Sequence, residues 1–492
     1  MLATAAIILA AGQGTRMRSR LPKVLHPLAG RPILGHVLDS VGRAGIEHRV
    51  VVVGHGAEEI EAFLAGAPSV RQDPQLGTAD AVRVGLDRVP TSVRQVLVTV
   101  GDAPLIPAEL FGALVNEQAD GEAAIALLSA QVADPAGYGR IVRDERGDSR
   151  AIVEEADADA QTRTIDEINV GTYCFDATWL RANVGDVPAS AKGEFYLTDL
   201  VALAIGAGRR VRVVSAPDPD LTMGINDRVQ LATAERLMRR QIAERHMRAG
   251  VTITDPETTY IDAGVEIGQD ARIEPWSVLK GSTVIGQDAV IGPNAQLIDS
   301  SIGPRSVVWA SVVEESEVAE DVEIGPYSHL RPGCRIGPRC RIGNFAELKK
   351  SEVGAGTQQH HFSYLGDAEL GENVNIGAGA VTANYDGVNK HTTVIGSGAF
   401  IGVDTTLRAP ITIGPGAKTG AGAVVTRDVP AGKTVVGMPA RPIELRRGRR
   451  AAIEAVAGGE PRIGSEPGPG ADESRSPDLN QQPGGSAPRS DA

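Results

Sequence analysis

VIGQDAVIGPNAQLIDSSIG, residues 284–303, sets Ile285-Gly286, Ile291-Gly292 and Ile302-Gly303 in a row, the first two six residues apart. The aliphatic-glycine pair returns at Ile336-Gly337, Ile342-Gly343, Leu370-Gly371, Ile376-Gly377, Ile395-Gly396, Ile401-Gly402 and Ile413-Gly414. A step of six fits neither the helical period of about 3.6 nor a sustained two-residue alternation. One inward aliphatic per short strand, carried round a turn and stacked on the next coil, does build a continuous core. That pattern is the hexapeptide repeat of a parallel β-helix. Residues 251–437 suffice for about ten coils at three hexads each.

Upstream the texture differs. AAIILA (5–10), HVLDSVGRAG (36–45), HRVVVVGHG (48–56), LGTADAVRVGLDRV (76–89) and VRQVLVTVGDAPL (93–105) alternate strand-like and helix-like runs. This predicts an α/β, Rossmann-like domain over 1–225, its mostly parallel sheet presenting ligands at the carboxyl ends of the strands. Within 226–250, Leu231, Ala234, Met238 and Ile242 recur at helical spacing among charges, which predicts a linker helix. The β-helix domain then occupies 251–447, and the Pro/Gly/Ser-rich tail 448–492 has too little to bury and is expected to be disordered. A chain of 492 residues exceeds one ordinary core, in keeping with this division.

A net charge of -13 with a pI near 5.3 argues against nucleic acid as a partner. No apolar run approaches the roughly 20 residues of a membrane helix, so no membrane partner and a cytoplasmic location are expected. Cys174, Cys334 and Cys340 suit neither a disulfide framework nor a zinc site and are expected to be buried thiols.

IILAAGQGTRM (7–17) carries a strand into a glycine-rich loop, followed by Arg16, Arg18, Arg20 and Pro22-Lys23, so that backbone amides and cations converge on an anion. The loop lacks the GK[ST] of a P-loop and the third glycine of the dinucleotide fingerprint. Gln72 and Gly77-Thr78, Gly101-Asp102, Gly139, Glu154 and Asn169 follow in order. Together these segments resemble the sugar-phosphate nucleotidyltransferases. The resemblance implies that Leu9, Ala10, Ala11, Gly12, Gln72, Gly77 and Thr78 hold uracil and ribose, and that Gly139, Glu154 and Asn169 hold the amino sugar. It assigns Mg²⁺ to Asp102 and Asn226. Arg16 and Lys23 would stabilise the departing pyrophosphate, with Lys23 and Asn226 also touching the nucleotide. A sugar phosphate is already an oxyanion, so its attack on UTP needs charge neutralisation, which suits Mg²⁺ on a carboxylate and an amide oxygen. Where the family usually reads VNNR, this chain has Ile225-Asn226-Asp227-Arg228, with an extra carboxylate.

The β-helix period breaks twice, and functional side chains are expected where loops leave a rigid solenoid. LKKSEVGAGTQQHHFSYLGDAELG (348–371) sets Gln359 where an aliphatic is due and gathers Lys349, His361 and Tyr364; TANYDGVNKHTTV (382–394) inserts a loop. With RPG (331–333) and NIGAG (375–379), these segments are similar to the acetyltransferase half of the bacterial bifunctional uridyltransferase and acetyltransferase family. The resemblance implies a left-handed β-helix, a homotrimer, and acetyl-CoA and UTP as co-substrates in making UDP-N-acetylglucosamine for cell-wall precursors. It makes His361 the general base on the glucosamine amine, a role suited to a group titrating near operating pH, with neighbouring His360 the alternative. Arg331 and Lys349 would grip the sugar phosphate, and Tyr364 and Asn375 the sugar. Ala378, Asn384, Tyr385, Val403, Ala421, Met438 and Arg441 map to acetyl-CoA contacts. Val403 stands where a serine is common and Met438 where an arginine is common, and Arg441 would supply the missing cation.

Two other readings compete. In one, a nucleotidyltransferase carries a β-helix that only oligomerises or regulates it; the set Lys349, His361, Tyr364 and Asn384 argues against this. In the other, a structural repeat protein binds partners on its flat faces, which would leave Asp102 and the glycine-rich loop without a purpose.

Overall fold

The computed structural model describes residues 3–119, 123–147, 149–190 and 193–442, so the expected tail lies outside the described residues. The N-terminal half contains β1 (Thr4–Ala10), the hairpin β2 (Pro27–Leu28) and β3 (Arg31–Pro32), α1 (Ile33–Arg43), β4 (His48–Val53), α2 (Ala57–Leu64) and β5 (Ser69–Arg71). It continues with α3 (Thr78–Leu86), β6 (Gln95–Val100), α4 (Ala108–Ala119), β7 (Ala123–Gln131), β8 (Arg140–Arg143), β9 (Ser149–Val153), β10 (Glu167–Asp176), α5 (Ala177–Asn183), α6 (Asp199–Gly206) and β11 (Arg210–Ser215). The main sheet runs β11-β7-β10-β6-β1-β4-β5. It is parallel as expected except at β10, which is antiparallel to β6 and β7 after the chain has looped out through β8 and β9. Because β1 and β6 are parallel neighbours with Leu9 opposite Val100, the glycine-rich loop and Asp102 leave the sheet side by side at its carboxyl edge.

From residue 251 the chain forms three sheets of 12, 10 and 9 strands, parallel throughout except for the closing strand Arg441–Pro442, a left-handed parallel β-helix. Each strand pairs with its counterpart one coil on, as Ile273 with Ile291 and Ile285 with Ile302. The hexad works because the inward residue is aliphatic while the corner takes positive φ. Asp270, Asp288, Asn294, Asp321, Asn373 and Asp404 adopt φ between 54° and 60°, a region Asx residues tolerate. Small hydroxyls cap the buried corner carbonyls, as Ser277 Oγ donating to Glu274 (2.7 Å) and Ser306 Oγ to Ala319 (2.8 Å). Cys334 and Cys340 stand in the same columns and donate to Arg331 (3.1 Å) and Gly354 (3.2 Å). All three cysteines are buried and unpaired, and burial pushes each thiol up.

Helix α7 (Arg228–Arg248) follows Asp227, whose carboxylate accepts from the amides of Val229 (2.9 Å) and Gln230 (2.8 Å) as an N-cap. It is the expected linker in position, but packing crosses it without a break. Leu28, Ile33, Leu105 and Ile225 share one hydrophobic cluster with Ala234, Met238 and Ile242 of α7 and with Ile253 and Ile261 of the first coil. Ala263 N bonds to Ala29 O (2.9 Å), Ala29 N to Glu235 (2.8 Å), and the Arg239 guanidinium lies 3.7 Å over the Tyr260 ring. Gly30, at φ +79°, has no room for a side chain against the Asp262 carboxylate. No helix among the described residues is long and apolar enough to cross a membrane.

The aliphatic column makes a direct prediction. Ile342 is 1 % exposed and stacked between coils, so Ile342→Ala should cost about 2–5 kcal/mol, read as a lowered urea midpoint with little change in slope.

Candidate active sites

At the carboxyl edge of the sheet a cavity of about 340 Å³ is lined by Leu9, Ala10, Ala11, Gly12, Lys23, Gln72, Gly77, Thr78 and Asp102. Local geometry explains the residue types. Gly77 adopts φ +110° with the Phe195 backbone where a Cβ would lie, so only glycine fits. Gln72 is buried and donates to Gly77 O and Asp80, both at 2.9 Å. Thr78 Oγ1 accepts from Leu197 N at 2.9 Å, tying the cavity wall to the segment after Glu194. Gln75 and Glu194 also line the cavity and were not singled out from sequence. Gln75 donates to Ala11 O at 2.9 Å and braces the glycine-rich loop.

Gly139, Glu154 and Asn169 come together although they lie on separate strands or turns. Asn169 N bonds to Gly139 O at 2.8 Å, and a Cβ on Gly139 would meet Ile152 and Glu154. Thr198 Oγ1 donates to Glu154 at 3.0 Å and Asn169 Nδ2 to the Tyr173 hydroxyl at 2.7 Å. Burial holds the Glu154 carboxyl above its usual range, against the Thr198 bond. Tyr173 and Thr198 are members of this cluster that no sequence motif marked.

Lys23 Nζ forms a salt bridge with Asp102 and donates to Asn226 Oδ1 at 3.2 Å. The two oxygens expected to bind Mg²⁺ therefore aim at one point, where a cationic group already sits, and Ile225 N to Asp102 O (2.9 Å) keeps their segments together. A carboxylate and an amide oxygen converging on a positive charge fit a hard divalent cation. No group of three or more His, Cys, Asp or Glu suited to a metal occurs among the described residues, so such an ion would complete its shell from phosphate and water. Asp227, the extra carboxylate, is committed to capping α7. Arg16 is exposed on the turn Thr15–Met17. Burial, then Asp102, raise the Tyr138 phenol and Arg16 opposes them, so both charges act on one ring.

The second site follows one corner of the β-helix. His361 precedes the strand Ser363–Gly366, and on the following coils its corner is succeeded by Ala378, Val403 and Ala421. These residues, with His360 and Asn375, line a cavity of about 600 Å³. His360 Nε2 is engaged by Gln358 at 3.0 Å, whereas the His361 ring has no hydrogen-bond partner among the described residues.

Tyr364 and Lys349 lie beside this corner, on paired strands that match Tyr364 with Glu347 and Gly366 with Lys349. A Cβ on Gly366 would strike both the Tyr364 hydroxyl and the Asn384 amide, and Asn384 donates to Asp367 at 2.5 Å. Lys349 sits near Lys390 of the inserted loop and Arg331; contact with Lys390, then the repulsion of both cations, lowers its ammonium pKa. Lys390 is thus a third cation, missed because it reaches Lys349 only through the loop fold. Arg331 pairs with Glu347 at 3.0 Å. The cations and Tyr364 are outside the His361 cavity lining, as are Asn384 and Tyr385. Tyr385 is exposed and bonded to Gly387 O at 2.6 Å. Met438 and Arg441 fall beyond the last corner, Met438 exposed and Arg441 on the closing antiparallel strand Arg441–Pro442.

The fold and the two sites define a nucleotidyltransferase joined to a hexapeptide acyltransferase. Residues 6–165 match the MobA-like NTP transferase domain, and residues 315–350 and 392–427 match the bacterial transferase hexapeptide family. The bifunctional protein GlmU of Thermobifida fusca is 48% identical over 94% of this chain and 98% of its own length, and that of Geobacillus sp. WCH70 is 48% identical over 86% and 93%. The chain belongs to the bifunctional GlmU family, with acetyltransferase and uridyltransferase activities in UDP-N-acetylglucosamine synthesis.

Gln359 explains the first break in period. It points inward at 1 % exposure in the column of Ile342, and its Nε2 donates to Ser363 Oγ (2.8 Å), which donates to His361 O (2.9 Å). Its Oε1 has no partner among the described residues. Gln359→Leu should therefore leave the melting temperature equal or higher, since an unsatisfied buried carbonyl is removed. It should lower the acetyl-transfer kcat about tenfold or more, because Ser363, which holds His361 O, loses the amide that fixes its own hydroxyl. Steady-state kinetics beside a melting curve checks both.

Proposed function

We infer that the β-helix acetylates glucosamine-1-phosphate from acetyl-CoA and that the N-terminal domain then joins the product to UTP, releasing pyrophosphate. The observation that carries the coupled reading is the corner groove of His361, Ala378, Val403 and Ala421 beside the cations Arg331, Lys349 and Lys390. A scaffold would need neither. The small corner side chains leave room for an extended acyl carrier, and the cations suit a phosphate. Glucosamine is largely protonated near neutral pH, and only the neutral amine attacks a thioester. His361, with its ring free, accepts that proton.

In uridyl transfer the phosphate oxygen of N-acetylglucosamine-1-phosphate attacks the α-phosphorus of UTP and the bond to pyrophosphate breaks. Gln72, Gly77 and Thr78 orient the base and ribose, while Gly139, Glu154 and Asn169 hold the sugar. Lys23 and Arg16 offset charge on the departing pyrophosphate. Mg²⁺, held by Asp102 and Asn226, would neutralise phosphate charge when bound. We place both steps in the cytoplasm, where UTP and acetyl-CoA are supplied, and assign the product to cell-wall precursor synthesis.

We further propose a homotrimer. The stacked rings of Tyr327 and Phe345, centroids 5.3 Å apart, and Phe362 next to His361 leave exposed apolar surface along the catalytic corner, which a neighbouring subunit would cover. Sedimentation equilibrium should return three times the chain mass; a fully acetylating monomer would refute this.

Incubating the protein with glucosamine-1-phosphate, acetyl-CoA, UTP and Mg²⁺ should yield UDP-N-acetylglucosamine. His361→Ala should slow acetyl transfer by about 10²–10⁴-fold, partly restored by raising the pH, and spare uridyl transfer; His360→Ala should do far less. Asp102→Ala should abolish uridyl transfer alone. Equal defects in the two histidine variants would move the base elsewhere.

A further inference from the structure

A larger cavity, about 710 Å³, lies where α1, the segment 104–109 and α7 meet Ala263 of the first coil, and it shares no lining residue with the nucleotide cavity. Arg31, Arg43, Arg49 and Arg245 face it, against the carboxylates of Asp39 and Glu109. Asp39 is taken by Arg31 in a salt bridge. Glu109, Arg43 and Arg245 have no ion-pair partner among the described residues. Arg49 donates to Leu38 O at 3.0 Å and packs against Gly42, where a side chain would displace it, so its charge is fixed beside α1. Met238, Gln241, Ile242 and Arg245 share one face of α7, which brings the Arg245 guanidinium toward Arg43. Burial, then Arg43, lower the Arg245 pKa, as expected of like charges held close without an acid between them. The remaining walls set the apolar side chains of Leu105, Ile106 and Ile242 beside the polar His36, Ser40 and Gln241.

We propose that this cleft binds a small organic phosphate, its phosphate held by Arg43 and Arg245 with Arg49 behind and its carbon body against Leu105, Ile106 and Ile242. Guanidinium groups match phosphate oxygens two at a time, and the volume suits one small molecule. The site is placed to act on catalysis. Ser40 of α1 donates to Ile106 O at 2.6 Å, and the segment containing Ile106 begins directly after Asp102. A ligand bracing that segment alters the setting of Asp102; this coupling rests on Asp102 serving uridyl transfer, whereas the binding does not.

Phenyl phosphate and inorganic phosphate, titrated calorimetrically into the full chain with the nucleotide site filled by UDP-N-acetylglucosamine, provide the test. Phenyl phosphate should bind more tightly than inorganic phosphate. Arg43→Ala/Arg245→Ala should weaken it by about tenfold or more while leaving ligand-free uridyl transfer unchanged, and Lys349→Ala should have no effect. Glu109→Gln, which removes the unpaired carboxylate, should tighten it about twofold or more. Equal affinity in the double variant and the parent would overturn the site, and equal affinity for the two probes would overturn the organic ligand. Phenyl phosphate should change the uridyl rate of the parent but not of the double variant. Binding without that change would overturn the coupling and leave the assignment of Asp102 standing.

Discussion

No strand of the β-helix is long enough to be stable alone: most are two or three residues, as at Arg272–Ile273 and Val290–Ile291. Each exists because the coil above and the coil below supply its backbone partners and bury its single aliphatic. Everything from residue 251 to residue 442 depends on that mutual support, including the corner that carries His361. The support begins on α7, whose Ala234, Met238 and Ile242 close the open end of the stack. The uridyltransferase half thus also serves as the cap that a solenoid needs.

Much of this was legible in the sequence because it obeys local rules. The Ile-Gly hexads repeat whatever surrounds them, and the loop after IILAA announces an anion site through glycines and cations at fixed spacing. Gly77 could be recognised from its motif, and the structure supplies the cause in the Phe195 backbone lying where a Cβ would be. Gln359 was visible as an interruption, but its purpose was not, because the bond to Ser363 and onward to His361 requires the corner to be folded.

What escaped sequence reasoning arrives through tertiary proximity. Tyr173 and Thr198 reach the cluster of Gly139, Glu154 and Asn169 from β10 and the start of α6, and Lys390 reaches Lys349 across an insertion. Leu28, Ile33 and Leu105 look like ordinary aliphatics of a hairpin, a helix and a loop, yet they bind the two halves into one core. The division at residues 225 and 250 is one of sequence texture, and the packing ignores it. Asp227 shows the reverse case: a carboxylate adjacent to Asn226, where the sequence resemblance expects a metal, suggests chemistry, while the geometry gives it to a helix terminus.

The corner of His361, Ala378, Val403 and Ala421 is also a ruler. Hydrogen-bonded strands stack about 4.8 Å apart, so distances along the corner come only in whole rungs. Three rungs separate His361 from Ala421, a span of about 14 Å along the stack. On the proposed reading of this corner, an acyl arm lying there would meet the histidine at a depth decided by counting, which side-chain adjustment could not shift by half a step. Insertion or loss of a coil between those residues would move the reacting carbon by a full rung, which gives evolution a discontinuous control over the length of carrier that the site accepts.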